Sequence, residues 1–307
     1  MAAAPIQLRF GGYGPPTTTH SRGLKFIGDR LEQQFPGDVE VKYVWNIMDF
    51  GYLGKDTLWL AEHGILTMVY QSTSYLTDRV PELGFADLPF LFGTNEEARA
   101  AMDGALGAYL TRKTEERISY RVMGYFENGF RHISNRLRPI RTPGDMAGMK
   151  IRVLPSAIHA RTFELLGAEP CRVDLTEAIE GVASGALDAQ ENPFANTVTY
   201  GVPEFHPYHT ESAHFYLSRG LFANRDAVDG LPDDVRSAFR AAVAEAVPFQ
   251  RDLAVEEELL ARRKIEQAGG EVIRLSDAER RAFRDAVAPL HDEVRKQLGD
   301  EAFGLLP

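Results

Sequence analysis

The chain has 307 residues, with 34 Lys or Arg against 44 Asp or Glu, so its formal net charge is −10. Hydrophobic residues make up 44% and charged residues 25%, which is typical of a globular protein, and the length suggests two domains of about 150 residues. The acidic balance lacks the basic surface that nucleic acids require, so we expect no nucleic-acid partner. The single cysteine, Cys171, excludes an internal disulfide and a cysteine-based metal cluster.

The first half of the chain predicts alternating strands and helices. Apolar alternation or a short apolar run predicts strands over residues 6–10, 39–44, 65–70, 121–125, 130–134 and 150–153. Helical spacing predicts helices over residues 19–35, 56–63 and 96–117. Gly64 is placed to end the second helix in a left-handed conformation.

The second half predicts the same plan. The expected strands are 170–173, 187–190 and a segment that runs to residue 275, and the expected helices are 156–166, 176–184, 232–268 and a terminal helix from 276. Pro248 lies inside the long helix and costs it about 3 kcal/mol, which predicts a kink. Residues 58–66 and 179–187 share their apolar spacing and the glycine that ends the helix. This weak similarity favours two similarly built α/β lobes over one large sheet.

The common catalytic and cofactor motifs are absent from the sequence. Gly12 and Gly14 are followed by two prolines and lack the third glycine of a dinucleotide loop, and there is no P-loop, HExxH or GxSxG pattern. His206, His209 and His214 match no standard metal-ligand spacing, so we expect them to be partly exposed or hydrogen-bonded. The sequence therefore predicts neither a cofactor nor a bound metal.

Polar residues at predicted strand ends are the candidate ligand-binding groups. Glu191 and Asn192 follow a predicted buried strand, where open α/β sheets bind ligands, although capping of the strand end explains them equally well. Arg152 alternates with apolar neighbours in a short strand, and Arg131 follows Phe130 in a similar way. A guanidinium matches a carboxylate, yet for either arginine taken singly a surface role is favoured.

Five segments form an ordered set along the chain: Asp87-Leu88-Pro89-Phe90-Leu91-Phe92, Gly129-Phe130-Arg131, residues 138–153 with Lys150-Ile151-Arg152-Val153, Leu166-Gly167-Ala168 and residues 185–193. Together they resemble the DctP-type solute-binding proteins of TRAP (tripartite ATP-independent periplasmic) transporters, and the resemblance extends over nearly the whole chain. The resemblance implies a two-lobed α/β fold like that of periplasmic binding proteins, with hinge strands and a long kinked helix that braces both lobes. We expect lobe I over residues 1–125 and about 213–252, and lobe II over 126–212 and about 253–307, with the hinge near residues 125 and 213.

The resemblance also implies the function. Such a protein captures a small organic acid in the periplasm and delivers it to integral-membrane permease subunits, and we expect a monomer that is not an enzyme. Arg152 corresponds to the family's carboxylate clamp, and Arg131 and Asn192 match further binding positions. Further cleft positions that the resemblance implies are Tyr13, His20, Trp45, Asp49, Tyr70, Ser72, Phe126, Glu127 and Tyr216. An acidic protein that binds anions needs a local positive site, which we expect Arg131 and Arg152 to form.

Several alternatives remain open at the level of sequence. Residues 45–50 are aromatic and apolar, which points to a compact or aromatic monocarboxylate, with a C4-dicarboxylate as the other candidate. Glu191 is retained as a ligand-binding residue, and holding a metal beside the carboxylate is the less favoured role for it. Two alternative functions remain. One is an enzyme that uses Glu127 or Glu191 as a base, and the other is a ligand-binding sensor. The small residues at 1–5 fit either a cytosolic start or an exported chain whose signal peptide has been removed, and the resemblance favours the second.

Overall fold

The computed structural model describes residues 4–306, which form alternating strands and helices. The first three residues, on which part of the signal-peptide expectation rests, lie outside the described residues. The strands are β1 Ile6–Gly11, β2 Val39–Val44, β3 Met68–Ser72, β4 Tyr120–Asn135, β5 Lys150–Val153, β6 Glu169–Arg172, β7 Ala189–Asn192, β8 Tyr208–Asn224 and β9 Glu271–Arg274.

The helices separate most of these strands along the chain. They are α1 Thr19–Gln34, α2 Asp56–Glu62, α3 Asn95–Asp103, α4 Ala105–Arg117, α5 Ala157–Leu165, α6 Leu175–Ser184, α7 Phe194–Thr199, α8 Arg225–Asp229, α9 Asp233–Gln267, α10 Asp277–Val287 and α11 Pro289–Leu298. Pro248 lies inside the 35-residue helix α9. Within residues 4–306, no helix combines the length and the apolar character that crossing a membrane requires.

The chain divides into two compact units. Unit 1 contains the chain up to Ser72, Thr111–Glu127 and Ser218–Ala254, and unit 2 contains Thr73–Leu110, Asn128–Leu217 and the chain from Val255 onward. The strands β4 and β8 and the helix α9 therefore contribute residues to both units.

Residues 73–110 belong to unit 2, which corrects the lobe boundaries expected from the sequence. The Asp87 carboxylate accepts a hydrogen bond of 3.0 Å from the Ser156 hydroxyl at the start of α5. The Phe85 ring packs edge-on against Phe303, with 4.8 Å between the ring centroids. These partners lie far along the sequence, and they hold the segment in unit 2 although it follows β3 of unit 1 directly.

Unit 1 is built on strands in the order β2, β1, β3 and the last part of β8. The strand β1 runs parallel to β2 and β3, and β3 runs antiparallel to β8. Phe10 of β1 stacks on Phe239 of α9, with 5.6 Å between the ring centroids, and both rings are fully buried. Because β1 and β3 are parallel, their carboxyl ends at Gly11 and Ser72 lie at the same edge of the sheet.

Unit 2 contains the last part of β4 followed by β7, β5 and β6, and β9 pairs with the first part of β8. The strand β5 is parallel to β6 and β7, whereas β4 is antiparallel to β7. The buried apolar core of this unit includes Ile133, Ile151, Val153, Phe163, Ala189, Phe215 and Phe283.

The expected similarity between residues 58–66 and 179–187 is present in the structure. Gly64 and Gly185 both adopt left-handed conformations, with φ of 69° and 73°. The amides of Leu66 and Leu187 each donate a 3.0 Å hydrogen bond to the carbonyl six residues earlier, which closes the end of the preceding helix. Because these amides already donate to the helix end, β3 and β7 begin two residues after Leu66 and Leu187. Both strands therefore begin later than the sequence predicted.

Three other expected element boundaries are corrected. The helix predicted over 96–117 is α3 and α4, because the chain at Gly104 leaves the helical conformation, with ψ of −147°. The strands predicted over 121–125 and 130–134 are one strand, β4, and Gly129 continues it with φ of 91°. The terminal helix is two helices, because Pro289 has no amide hydrogen with which to continue α10.

Candidate functional site

Aromatic side chains surround an arginine at the carboxyl ends of β1 and β3 in unit 1. The guanidinium carbon of Arg219 lies 5.0 Å from the Tyr13 ring centroid and 5.6 Å from that of Tyr70. These are cation–π distances, and Arg219 is only 6% exposed. A side chain at Gly12 would meet the Tyr70 ring within 2.4 Å, so the glycine of this loop makes room for an aromatic ring.

The hydrogen bonds of His20 fix its tautomer within this cluster. Its Nε2 lies 3.1 Å from the carbonyl oxygen of Glu127, which only accepts, so Nε2 carries the proton. Nδ1 then accepts from Nη1 of Arg219 at 3.3 Å. Burial, together with the charge of Arg219, lowers the pKa of His20 well below its usual value, so the ring is uncharged. The ring also lies near Phe126, with 6.3 Å between centroids.

The structure therefore brings Tyr13, His20 and Tyr70 together around Arg219, and Phe126 lies beside His20. The remaining expected positions of unit 1 are arranged differently. Trp45 is half-buried and stacks on Tyr43, Asp49 is exposed and accepts a 2.7 Å hydrogen bond from Asn46, Ser72 is buried at the end of β3, and the buried Glu127 donates its amide to the Gln250 side chain.

In unit 2, Arg131 forms a buried ion pair with Glu191. The two side chains are 1% and 0% exposed. Nε of Arg131 donates to Oε2 of Glu191, and Nη2 donates to Oε1 at 2.9 Å and to the backbone carbonyl. Burial alone would raise the pKa of Glu191, but the charge of Arg131 and contacts with His214 outweigh it and hold the pKa at about 2. The carboxylate is therefore ionised and fully compensated.

Two histidines complete the surroundings of Glu191. Nε2 of His214 lies 3.5 Å from Oε2 of Glu191, and Nδ1 lies 2.7 Å from the Ser212 hydroxyl. Burial lowers the pKa of His214 to about 4 even though Glu191 opposes that shift. The His159 ring lies between two carboxylates, with Nδ1 3.9 Å from Glu191 and Nε2 3.6 Å from Asp87. Glu191 thus has protein partners on several sides.

In the part of the chain that the structure describes, Arg152 is buried without a carboxylate partner. It is 3% exposed, and its Nε and Nη2 donate to the Val173 carbonyl at 3.2 and 3.1 Å. Nη2 also donates to the Tyr75 hydroxyl at 3.3 Å. Within residues 4–306 no carboxylate oxygen lies within the 4.0 Å of an ion pair with Arg152, and its Nη1 donates no hydrogen bond there. The guanidinium charge is therefore uncompensated by a direct partner.

Strand register places the two arginines on opposite faces of the sheet in unit 2. Arg152 lies opposite Gln190 on β7, and His132 lies opposite Asn192. Gln190 and Asn192 are two residues apart, so these four side chains share one face, and Arg131, next to His132, belongs to the other. This corrects the expectation of a positive site formed by both arginines, because Glu191 compensates Arg131 and the uncompensated charge is that of Arg152.

A chain of hydrogen bonds orients Asn192. Its Nδ2 donates to Oε1 of Gln190, and Nε2 of Gln190 donates to the Ser134 hydroxyl at 2.6 Å. The Ser134 hydroxyl lies 3.0 Å from Nδ1 of His206. On β8, Tyr216 packs edge-on against Phe130, with 5.4 Å between centroids.

The histidines considered as metal ligands are buried side chains of unit 2. His206 and His209 are 0% exposed and His214 is 2% exposed, so the alternative of partial exposure is wrong. The hydrogen-bonded alternative is confirmed for His206, which contacts Ser134, and for His214, which contacts Ser212. Burial, with the neighbouring His209, lowers the pKa of His206 to about 3, and burial lowers the pKa of His209 to about 4. Across the part of the chain that the structure describes, no group of three or more His, Cys, Asp or Glu is arranged to hold a metal ion.

Sequence reasoning missed three residues that the structure places in these clusters: Arg219, Tyr75 and His159. A signal existed for Arg219, because it is the one charged residue in the mainly apolar sequence of residues 215–223. A charged residue in a buried strand requires partners, so it marks a special environment. Neither Tyr75 nor His159 has such a signal, since aromatic and histidine side chains are common in ordinary cores.

Open α/β sheets bind ligands beyond the carboxyl ends of their strands, which is where Arg152 of β5 and Arg131, beside the end of β7, lie. The family model of DctP, described as bacterial extracellular solute-binding protein, family 7, matches residues 10–297. The chain therefore belongs to this family and is a DctP-type solute-binding protein of the TRAP class.

Similar proteins cover almost the whole chain. The C4-dicarboxylate-binding periplasmic protein DctP of Rhodobacter capsulatus is 29% identical over 97% of this chain and 89% of its own length. The 2,3-diketo-L-gulonate-binding periplasmic protein YiaO of Escherichia coli is 28% identical over 92% of this chain and 85% of its own. The sugar acid binding protein DctPAm of Advenella mimigardefordensis, solved in complex with galactonate, has a TM-score of 0.93 at 27% identity and covers 99% of this chain and 98% of its own.

Proposed function

We propose that this protein captures a small organic acid in the periplasm through Arg152 and delivers it to the membrane subunits of a TRAP permease. The observation that carries the proposal is the environment of Arg152, a buried guanidinium with no direct carboxylate partner in the described residues. A buried charge without a counter-charge is costly, and a ligand carboxylate removes that cost when it binds.

Arg131 and Asn192 contribute hydrogen bonds rather than net charge. Nη1 of Arg131 donates to none of the residues the structure describes, so it remains available to a ligand although Glu191 compensates the charge. Because β4 is antiparallel to β7, Arg131 lies at the edge of the sheet where β7 ends at Asn192. Long arginine side chains reach a ligand beyond that edge from either face.

The ligand is an acid of the kind named for the relatives: a C4-dicarboxylate, 2,3-diketo-L-gulonate or galactonate. The aromatic cluster of Tyr13, His20, Tyr70 and Phe126 contributes to ligand selectivity in unit 1, and Trp45, Asp49, Ser72, Glu127 and Tyr216 remain further candidates. An aromatic or compact monocarboxylate also fits such rings.

A binding role is better supported than a catalytic one. Glu191, the candidate base, has a pKa of about 2 because Arg131 and His214 outweigh the effect of its burial. A carboxylate that remains ionised to such low pH is a weak proton acceptor at neutral pH. We propose that the protein acts as a periplasmic monomer and releases its ligand chemically unchanged.

Calorimetry with succinate, 2,3-diketo-L-gulonate and galactonate tests this function. We expect at least one acid to bind and Arg152→Ala to reduce its affinity more than 100-fold, since a buried charge-assisted contact with the ligand carboxylate is lost. The matched control is Arg136→Ala, which removes an arginine of the same unit that is 43% exposed and paired with Asp188. Unchanged affinity in Arg152→Ala would contradict the clamp, and chemical change of the recovered acid would favour an enzyme.

A further inference from the structure

Tyr75 places a phenol beside Arg152. It lies in the short helical turn Thr73–Leu76 that directly follows β3, and it belongs to unit 2, as Arg152 does. The Tyr75 hydroxyl oxygen is 3.3 Å from Nη2 of Arg152, and the same Nη2 donates to the Val173 carbonyl at 3.1 Å. The phenol is therefore part of the immediate surroundings of the guanidinium.

The direction of this hydrogen bond determines where the phenol proton can go. Guanidinium nitrogens only donate, so the Tyr75 oxygen accepts from Arg152. The Tyr75 O–H must then point to another acceptor. Within residues 4–306 the contact with Arg152 is the only hydrogen bond of this hydroxyl. The protein itself thus leaves an O–H donor unused next to the buried Arg152.

The phenol keeps its proton at physiological pH. Burial raises the pKa of Tyr75 to about 12, although the neighbouring Arg152 opposes that shift. The hydroxyl consequently remains a neutral donor at neutral pH, where a carboxylate ligand is ionised.

We propose that Tyr75 is a ligand-binding residue that donates its phenol hydrogen bond to the carboxylate held by Arg152, an inference that rests on the proposed function. Arg152 supplies the charge, and Tyr75 adds a directed donor on the side of Nη2. The ligand carboxylate thus accepts hydrogen bonds from two residues, Arg152 and Tyr75. This arrangement selects a group that only accepts, so a carboxylate is favoured over the corresponding amide, whose N–H groups would face these donors.

Tyr75→Phe tests the proposal because it removes the hydroxyl and retains the ring. Calorimetry with succinate and with galactonate should show about a tenfold loss of affinity, which is typical of a hydrogen bond to a charged group. The matched control is Tyr208→Phe, a half-buried tyrosine at the start of β8 in the same unit. We expect that variant to bind like the native chain. Native-like affinity in Tyr75→Phe would overturn the proposal.

Infrared spectroscopy separates direct contact from mere orientation of Arg152. With succinate or galactonate labelled with ¹³C in the carboxylate, Tyr75→Phe should shift the antisymmetric stretch of the bound ligand. Weaker binding with an unshifted stretch would show that Tyr75 acts only through Arg152, and would overturn the proposal. If Arg152→Ala abolishes binding while Tyr75→Phe is native-like, only this inference fails. If the native chain binds none of succinate, galactonate and 2,3-diketo-L-gulonate, the proposed function fails together with this inference.

Discussion

Arg131 and Arg152 are two arginines of the same unit in opposite electrostatic situations. They are 1% and 3% exposed, so burial does not distinguish them. Arg131 donates to both carboxylate oxygens of Glu191, whereas among the described residues Arg152 donates only to neutral oxygens of Val173 and Tyr75. The comparison teaches that the missing counter-charge, rather than burial, marks the arginine that is prepared for an anionic ligand.

The difference originates in the alternation of β7. Glu191 points to one face of the strand, and Gln190 and Asn192 point to the other. Arg131 lies on the face of the carboxylate, and Arg152 lies opposite Gln190, which is neutral. One strand of four residues therefore provides a compensated site and an uncompensated site on its two faces.

The largest expected effect follows from breaking the compensated pair. Glu191→Gln leaves the Arg131 charge buried without a counter-charge, and we expect the free energy of unfolding to fall by about 3–5 kcal/mol. Urea unfolding followed by circular dichroism measures this change.

The exposed pair of Arg161 and Glu293 is the matched control for that variant. It is also bidentate, with distances of 3.1 and 2.9 Å, but the side chains are 42% and 44% exposed. Water screens such a pair, so Glu293→Gln should leave stability almost unchanged. Equal effects of the two substitutions would contradict the assignment of Glu191 as a buried compensating charge.

The next effect concerns pH and the histidine beside Glu191. Burial lowers the pKa of His214 to about 4 in the folded protein, whereas the unfolded chain takes up this proton near pH 6.5. Between these values the unfolded state binds more protons, so stability present above pH 6.5 is lost as the pH falls towards 4. His214 alone should contribute about 1.4 kcal/mol of loss for each pH unit in that range.

His214→Gln checks this contribution through the slope of the free energy of unfolding against pH. This slope does not depend on how far the substitution itself changes stability at a fixed pH. Between pH 6.5 and 5 its free energy of unfolding should decline less steeply than that of the native chain. Residual decline is expected because burial also lowers the pKa of His206 to about 3 and of His209 to about 4. Identical slopes would show that His214 does not remain uncharged in the folded protein.

The smallest expected effect tests the uncompensated site in the absence of ligand. Arg152→Met removes a buried charge and keeps an extended side chain, so we expect stability to rise by about 1 kcal/mol. Arg131→Met should instead lower stability, because it leaves Glu191 without its main partner. Urea unfolding measures both changes in stability, on protein that was refolded to remove co-purified acids. A loss of stability in both variants would contradict the distinction between an uncompensated Arg152 and a compensated Arg131.

Much of the fold could be predicted from local patterns. The helix, the left-handed glycine and the strand that follows recur at Gly64 and Gly185, because this join is encoded by adjacent residues. The alternation of Ile151, Arg152 and Val153 likewise predicted that the arginine leaves the apolar face, and the register with β7 agrees. Such features depend on neighbours within a few positions of the chain.

The compensation of Arg131 could not be predicted in this way. Glu191 lies 60 residues from Arg131, and only the register between β4 and β7 decides which side chains share a face. A shift of one residue would have placed the carboxylate on the other face. The assignment of residues 73–110 to unit 2 has the same origin, since Asp87 finds its partner Ser156 across 69 residues of sequence.

The division of the chain has a consequence for its biogenesis. Within residues 4–306 the backbone passes from one unit to the other five times, and unit 1 is complete only with the segment that ends at Ala254. A ribosome must therefore have made more than four fifths of the polypeptide before unit 1 can assemble. Neither unit can be obtained by truncation at a single position, so the chain is expected to acquire its native contacts late, as one product rather than as successive domains.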